Sequence, residues 1–112
     1  MSAFLRRVHR PCAECPWRRD TEPGQFPACR YDALRSTARQ EFGAPMFACH
    51  KSPEGAERAC AGWLVVVGPN HITVRLALAT GRLDSSALTP SADWPPLFDG
   101  YEEMAAAQGA SS

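Results

Sequence analysis

Five cysteines in a chain of 112 residues are the feature that most limits how this sequence can fold. Two of them, Cys12 and Cys15, form a Cys-x-x-Cys pair inside the stretch PCAECPWRRD. A turn of this spacing directs both thiols to the same side of the backbone, which supplies half of a tetrahedral metal site. The remaining ligands must come from distant parts of the chain. A metal would therefore tie the N-terminal region to the rest of the fold.

Length and composition fit one globular domain, with 45% hydrophobic and 21% charged residues. No stretch approaches the roughly 20 apolar residues of a membrane span, and the N-terminus lacks the apolar segment of a signal peptide. We therefore expect a cytoplasmic protein without membrane contacts. Structural disulfides are rare in a reducing compartment, so the cysteines favour metal binding or redox chemistry.

The hydrophobic pattern predicts a small, mainly α single domain with an irregular N-terminal loop region. The cysteines predict that a four-cysteine metal site staples this domain. In this interpretation residues 1–10 form a basic N-terminal lead-in, residues 11–108 form the metal-stabilised domain, and residues 109–112 form a flexible tail.

The first predicted helix begins near Pro27, which suits a first helical turn, and ends at Gly43. Its apolar residues recur at steps of three and four, so one face is expected to pack inward. These residues are Tyr31, Leu34, Ala38 and Phe42.

Three further helices are predicted after it. The segment ACAGWLVVVG, residues 59–68, is ambiguous because its valines favour a strand, and we interpret it as a helix. The next helix has Asn70 as its N-cap and ends before Gly81. The last lies in DGYEEMAAAQ, where Glu102 and Glu103 suit the first turn.

Several side chains can complete the metal site beside the Cys-x-x-Cys pair. They are Cys29, Cys49, Cys60, His9, His50 and His71. A four-thiolate site that includes the pair has three possible ligand sets, and we choose Cys12, Cys15, Cys49 and Cys60. Both added cysteines border apolar segments that can form core structure and hold them rigidly against the pair.

The other candidates are weaker. Cys29 lies near the start of a predicted amphipathic helix, where a cysteine can serve as a small buried apolar residue. His50 directly follows Cys49, and adjacent residues rarely reach the same ion. We interpret His9 and His71 as structural or exposed.

Zinc is the preferred metal, because structural zinc sites use four thiolates and leave no open position. A [4Fe–4S] cluster on the same cysteines is the alternative, since a proline such as Pro16 often follows a cluster ligand. A thioredoxin-like dithiol at Cys12 and Cys15 is a third possibility, but the βαβ context of that motif is missing. Trp17 and Trp63 closely follow presumed ligands, where a large ring can cover the metal centre or simply fill the core.

Basic residues are concentrated in the first half of the chain. Residues 1–60 have a formal charge of +3 and residues 61–112 a formal charge of −3, so the formal net charge of the chain is zero. Five arginines lie near the Cys-x-x-Cys pair: Arg6, Arg7, Arg10, Arg18 and Arg19. They form either a solvated basic face or a contact for nucleic acid or a protein partner, and an exposed Trp17 could stack on a base.

Catalytic motifs give little support for an enzyme. The sequence contains no GxSxG, no phosphate-binding loop and no HExxH. We therefore expect a binding or regulatory module.

The chain also resembles a known family in six stretches. They are RPCAECPWRRD, GQFPACRYDALRSTA, APMFACHKSPEG, ERACAGWLVVVG, VRLALATGRLD and DWPPLFDGYEEM. The family is a small cysteine-rich group from high-GC bacteria and their phages, catalogued as a domain of unknown function without an assigned activity. Its pattern includes the cysteines matching Cys12, Cys15, Cys49 and Cys60, whereas the position of Cys29 often holds another residue. The resemblance therefore implies the same ligand set.

Overall fold

The structure is a computed structural model, and it describes residues 6–12, 14–24, 26–49 and 57–109. These ranges contain four α-helices: α1 (Ala28–Ala33), α2 (Ala61–Val66), α3 (Ile72–Ala79) and α4 (Tyr101–Gln108). They also contain three short 3₁₀ helices: Leu34–Ala38, Gly68–Asn70 and Ser85–Leu88. In the same ranges β structure is limited to isolated bridges. The predicted mainly α fold with an irregular N-terminal region is confirmed, since the first helix begins only at Ala28.

Helix α1 is shorter than the sequence pattern predicted. It tightens into the 3₁₀ helix Leu34–Ala38, and the chain is extended from Arg39 instead of continuing to Gly43. The Thr37 hydroxyl donates to the Leu34 carbonyl at 2.6 Å, and such local bonds compete with α-helical hydrogen bonding. As a result Phe42 is 83% exposed, which corrects its expected place in the core.

The segment with the ambiguous valines forms helix α2, as predicted. Helix α3 then follows with His71 as its N-cap in place of Asn70, because Asn70 belongs to the preceding 3₁₀ helix. Gly81 has a φ of +76° and lies just past the end of α3, as expected of a left-handed residue that ends a helix.

Helix α4 connects the C-terminal and N-terminal parts of the fold. Glu102 and Glu103 lie in its first turn, as predicted. The Tyr101 hydroxyl donates to the Tyr31 carbonyl at 2.8 Å, which attaches α4 to α1. At the other end of the helix, the Gln108 amide donates to the carbonyl of Pro16, directly after the Cys-x-x-Cys pair.

Three segments meet at Ala59. A parallel bridge joins Ala59 to Arg7, and an antiparallel bridge joins it to Ala48. The Ala59 N–H donates to the Arg6 carbonyl and the Val8 N–H donates to the Ala59 carbonyl, both at 2.9 Å. Residues 6–8 of the predicted lead-in are thus hydrogen-bonded to the centre of the fold.

The described residues form one hydrophobic core. Its largest fully buried side chains include Trp17, Trp63, Tyr31, Leu64 and Met104. The Cα radius of gyration is 13.4 Å, close to the about 13 Å expected of one compact domain of this length. Within the part of the chain that the structure describes, no helix has the length and apolarity needed to cross a bilayer.

Candidate metal centre

The Cys-x-x-Cys pair lies in a hydrogen-bonded turn. The Cys15 N–H donates to the Cys12 carbonyl at 3.1 Å, and the Arg18 N–H donates to the Cys15 carbonyl at 3.2 Å. Side chains also donate hydrogen bonds to the same two carbonyls. The Arg18 guanidinium donates to the Cys12 carbonyl, and the Thr21 hydroxyl donates to the Cys15 carbonyl. The backbone around both cysteines is therefore fixed from both sides.

Cys60 meets this turn at the start of α2. Its sulfur lies 3.5 Å from the sulfur of Cys15, and their residues are only 3% and 1% exposed. The close approach depends on Gly62, because a Cβ atom there would stand 2.9 Å from Cys15 Sγ. The two segments are separated by 45 positions in the chain.

The contact between the two thiols shifts their pKa values in opposite directions. The hydrogen bond from Cys60 lowers the pKa of Cys15 despite its burial, helped by the backbone N–H of Trp17 and the charge of Arg18. The same hydrogen bond to Cys15, together with burial, raises the pKa of Cys60 well above its ordinary value. Cys15 is therefore the more acidic of the two thiols.

Cys49 reaches the same region through the bridge at Ala59. Its N–H donates to the Arg58 carbonyl at 2.7 Å, and the Cys60 N–H donates to the Phe47 carbonyl at 3.0 Å. In this antiparallel register Cys49 and Cys60 are diagonal neighbours on one face, a relation that places residues about 7–8 Å apart. Cys49 is buried in the core cluster, and half-buried Cys12 packs against that cluster.

The structure thus brings two of the four predicted ligands into direct contact, Cys15 and Cys60. Cys12 and Cys49 belong to the same hydrophobic surroundings. Across the four described ranges, no group of three or more His, Cys, Asp or Glu side chains is close enough to hold a metal ion.

The remaining candidate ligands lie elsewhere. Cys29 is exposed on α1, which corrects the expectation that it could be a buried apolar residue. His50 lies outside the described residues. His9 is exposed, and His71 is fully buried with its Nε2 donating to the Pro45 carbonyl at 3.0 Å. The structural interpretation of His71 therefore holds.

Both tryptophans that follow the cysteines are fully buried. The Trp63 Nε1–H donates to the Thr37 hydroxyl at 3.1 Å, and its ring lies 4.9 Å from that of His71. Trp17 packs beside Tyr101 with a ring separation of 6.4 Å. Its burial rules out the predicted possibility that an exposed Trp17 stacks on a base.

Three of the five arginines near the pair have side chains that contact a carboxylate of the chain. Arg10 contacts Asp93 at 3.0 Å, and Arg18 contacts Asp20 at 2.7 Å. Arg19 contacts Glu103 and donates to the Leu97 carbonyl.

The other two, Arg6 and Arg7, line a cleft of about 370 Å³ together with His9, Arg58 and Arg82. Sequence reasoning missed Arg58 and Arg82, since no local pattern connects them to the N-terminal arginines.

Comparison with known proteins identifies a family that this chain matches. The sequence profile that matches is described as "Family of unknown function (DUF6283)", and the match covers residues 7–112. No curated protein and no solved structure matches the chain. The matched region includes all four predicted ligands, and it confirms the expected membership in a domain-of-unknown-function family. Because the match extends over nearly the whole chain, this protein belongs to the family of unknown function DUF6283.

Proposed function

We propose that the protein is a small zinc-binding module with a binding or regulatory role. In this proposal Cys12, Cys15, Cys49 and Cys60 hold one structural Zn²⁺ ion. The observation that carries it is the contact between the buried sulfurs of Cys15 and Cys60 at 3.5 Å, made by segments far apart in sequence.

The sulfur separation suits two ligands of one ion. A Zn–S bond is about 2.3 Å long, and tetrahedral angles then put neighbouring sulfurs about 3.8 Å apart. The observed 3.5 Å between Cys15 and Cys60 needs little adjustment to reach that value. In a [4Fe–4S] cluster each cysteine binds a different iron atom, so the ligand sulfurs lie farther apart than two ligands of one ion. The contact therefore favours a mononuclear site.

The electrostatic surroundings also suit a cation. A buried thiolate is costly unless charge or hydrogen-bond donors compensate it. Cys15 has Arg18 and the backbone N–H groups of Trp17 and Gly62 around its sulfur, and Cys60 has those of Gly62 and Trp63. Zinc would displace the proton of the hydrogen bond between Cys15 and Cys60, because metal binding displaces protons from thiols.

The backbone supports the participation of the other two cysteines. Cys12 and Cys15 are the ends of a β-turn, whose outer Cα atoms lie less than about 7 Å apart. Cys49 is the diagonal neighbour of Cys60 across the antiparallel bridge. Both residues therefore belong to segments that are hydrogen-bonded next to the sulfur pair.

A zinc ion in this position would act mainly on stability. It would join the turn after Pro11, the segment before His50 and the start of α2. Structural zinc supplies on the order of 10 kcal/mol of apparent binding free energy, comparable to the stability of a whole domain. The metal would thereby fix the surfaces that the module presents to a partner.

Elemental analysis after anaerobic purification tests the proposal. We expect one zinc ion per chain, lost in Cys15→Ser and Cys60→Ser and weakened in Cys12→Ser and Cys49→Ser. Cys29→Ser is the matched control and should retain zinc, because Cys29 is exposed on α1. A chelator should unfold the native protein. Purified protein without metal, or full zinc content in Cys15→Ser and Cys60→Ser, would refute the site.

The second candidate is an iron–sulfur protein that acts as a redox sensor or nucleic-acid-associated regulator. The proline directly after Cys15 favours it, because proline often follows a cluster ligand. Such a protein would contain iron and sulfide in place of zinc. Its visible absorption would bleach in air.

A further inference from the structure

We propose that Cys15 and Cys60 form a redox switch, in which a peroxide joins their sulfurs in a reversible disulfide and the metal ion is released. The release step rests on the zinc site proposed above, whereas the disulfide itself needs only the two thiols. Their sulfurs lie 3.5 Å apart in the reduced protein. A disulfide bond is about 2.05 Å long, so the sulfurs have to approach each other by only about 1.5 Å.

The backbone holds the two cysteines in position for this bond. The Cys15 N–H donates to the Cys12 carbonyl at 3.1 Å, and the Cys60 N–H donates to the Phe47 carbonyl at 3.0 Å. Between them, the missing side chain of Gly62 lets the first turn of α2 pack directly on Cys15 Sγ. Because both segments are hydrogen-bonded and in contact, we expect side-chain rotation to supply most of the remaining approach.

The other cysteines are less well placed to bond with either thiol. Cys49 is the diagonal neighbour of Cys60, a relation of about 7–8 Å, whereas disulfides join Cα atoms that are usually about 4.4–6.8 Å apart. Cys29 is exposed on α1, away from the buried pair. Cys12 lies in the same turn as Cys15, so a bond between these two is the competing product that an experiment has to distinguish.

The reaction balances with one molecule of hydrogen peroxide. One sulfur of the pair attacks a peroxide oxygen, the O–O bond breaks, and the products are a sulfenic acid and water. The second sulfur then attacks the sulfenic sulfur, the S–O bond breaks, and a second water leaves. The two sulfurs lose two electrons in total and the peroxide gains them. From the zinc-bound state, solvent supplies the two protons, and the metal leaves as Zn²⁺ because two of its four thiolates are gone.

Burial limits how fast peroxide reaches the pair and also protects the intermediate. Cys15 is 1% exposed and Cys60 is 3% exposed, so the first oxidation requires a local opening of the fold. The sulfenic acid that forms already has a thiol in contact. Condensation with that thiol should outpace a second peroxide molecule, which would give an irreversible sulfinic acid. A thiol reductant can then reopen the disulfide by exchange.

The reduced and oxidised states would hold different segments together. Zinc would join the turn at Cys15, the start of α2 and the segment 47–49. The disulfide would keep the first two linked but would leave Cys49 without its metal bond. Residues 47–49 would then depend on the antiparallel bridge between Ala48 and Ala59. Oxidation would therefore change the binding module mainly at this segment.

Disulfide mapping of the full-length protein tests the proposal. Cys29→Ser is the starting protein, because it removes the exposed thiol whose oxidation would obscure the result. The folded, zinc-loaded protein is treated with excess hydrogen peroxide, alkylated in denaturant and cleaved after glutamate and arginine. Cleavage after Glu14 separates Cys12 from Cys15, so mass spectrometry can assign each linked peptide.

The expected main product links Cys15 to Cys60 and releases one zinc ion per disulfide, detected with a chromogenic chelator. Dithiothreitol should restore both thiols and the binding of zinc. Cys49→Ser should form the same disulfide even though its zinc binding is weakened, because the sulfur pair is intact. The share of this product should fall when the protein is oxidised in urea, because a link across 45 positions closes less often in an unfolded chain than a shorter one.

Several outcomes would overturn the redox switch. They are a main product that links Cys12 to Cys15 in the folded protein, sulfinic acid in place of a disulfide, and an equal share of the Cys15–Cys60 product in urea. Zinc that stays bound after the disulfide closes would overturn the release step. A protein that never binds zinc but closes the disulfide would refute the metal site and support the sulfur pair. Bound zinc without any disulfide would refute the switch and leave the metal site standing.

Discussion

Gly62 packs directly on Cys15, with room for no side chain between them. A Cβ atom at position 62 would stand 2.9 Å from Cys15 Sγ and 3.1 Å from Trp17 Cβ. Glycine inside a helix costs about 0.5–1 kcal/mol relative to alanine, so its presence in α2 reflects this contact. The first turn of α2 can approach the Cys-x-x-Cys turn only because position 62 has no side chain.

Gly62→Ala should therefore destabilise the protein. We expect a loss of about 1–3 kcal/mol in the free energy of unfolding, measured in urea, because the added methyl group must displace buried atoms. Gly68→Ala is the matched variant, since its Cβ would meet Leu88 Cδ2, also at 2.9 Å. Leu88 is only half-buried and its methyl group can rotate away, so the loss should be smaller. A Gly62→Ala protein as stable as the wild type would contradict the close packing.

The bond between Trp63 and Thr37 gives a second prediction. Thr37→Val removes the hydroxyl that accepts the buried Trp63 Nε1–H at 3.1 Å. A buried donor without a partner costs about 1–3 kcal/mol, which urea unfolding followed by tryptophan fluorescence would detect. Ser36→Ala is the control, because that hydroxyl bonds the Ala33 carbonyl within the same turn. Equal stability of the two variants would show that the indole bond contributes nothing.

Glu103 makes the stability of the protein sensitive to acid. The N–H of Asp99 and the guanidinium of Arg19 lower the pKa of Glu103 below its ordinary value of 4.5. A lowered pKa means that folding favours the ionised carboxylate. Its contribution is complete above pH 4.5 and disappears as the pH falls through the lowered value in the folded protein.

Glu103→Gln should be less stable than the wild type at neutral pH, and the difference should shrink as the solution is acidified. Urea unfolding over a pH series measures it. Glu102→Gln is the neighbouring control, since Glu102 contacts the exposed Arg35 at 3.2 Å and surface ion pairs contribute little. A difference for Glu103→Gln that stays constant across the series would exclude this linkage.

The cysteines should differ in their reaction with iodoacetamide. Cys29 is exposed, whereas Cys15, Cys49 and Cys60 are buried. In the zinc-loaded protein we expect mass spectrometry to find the label first on Cys29, since burial and metal binding protect the other thiols. A chelator should open the remaining cysteines to labelling. If Cys15 or Cys60 is labelled as fast as Cys29 before chelation, the protected site does not exist.

Local patterns were enough to predict most of the helices. Gly81 ends α3, and Glu102 and Glu103 lie in the first turn of α4, because caps and charges act within one or two turns of a helix. The predicted end of the first helix at Gly43 was wrong for a local reason and for a tertiary reason. Thr37 lies in a 3₁₀ turn where its hydroxyl accepts a bond from Trp63, 26 positions later in the chain.

In the candidate metal site, too, local sequence predicted one part and tertiary packing decided the other. The Cys-x-x-Cys spacing by itself identified Cys15 as a thiol held in a turn, because a turn is a local structure. Only the tertiary structure decided that Cys60 is its contact, since that meeting depends on the packing of Gly62 against the turn.

The contacts of the charged residues also depend on the fold, because residues that are close in sequence are not always those that are close in space. The sequence by itself determined where the basic residues are concentrated. Folding decided that Arg10 is ion-paired with Asp93 while Arg6 shares a cleft with Arg58 and Arg82. The physical reason is that propensity and spacing act over a few residues, whereas side chains from distant segments meet only where the core packs them together.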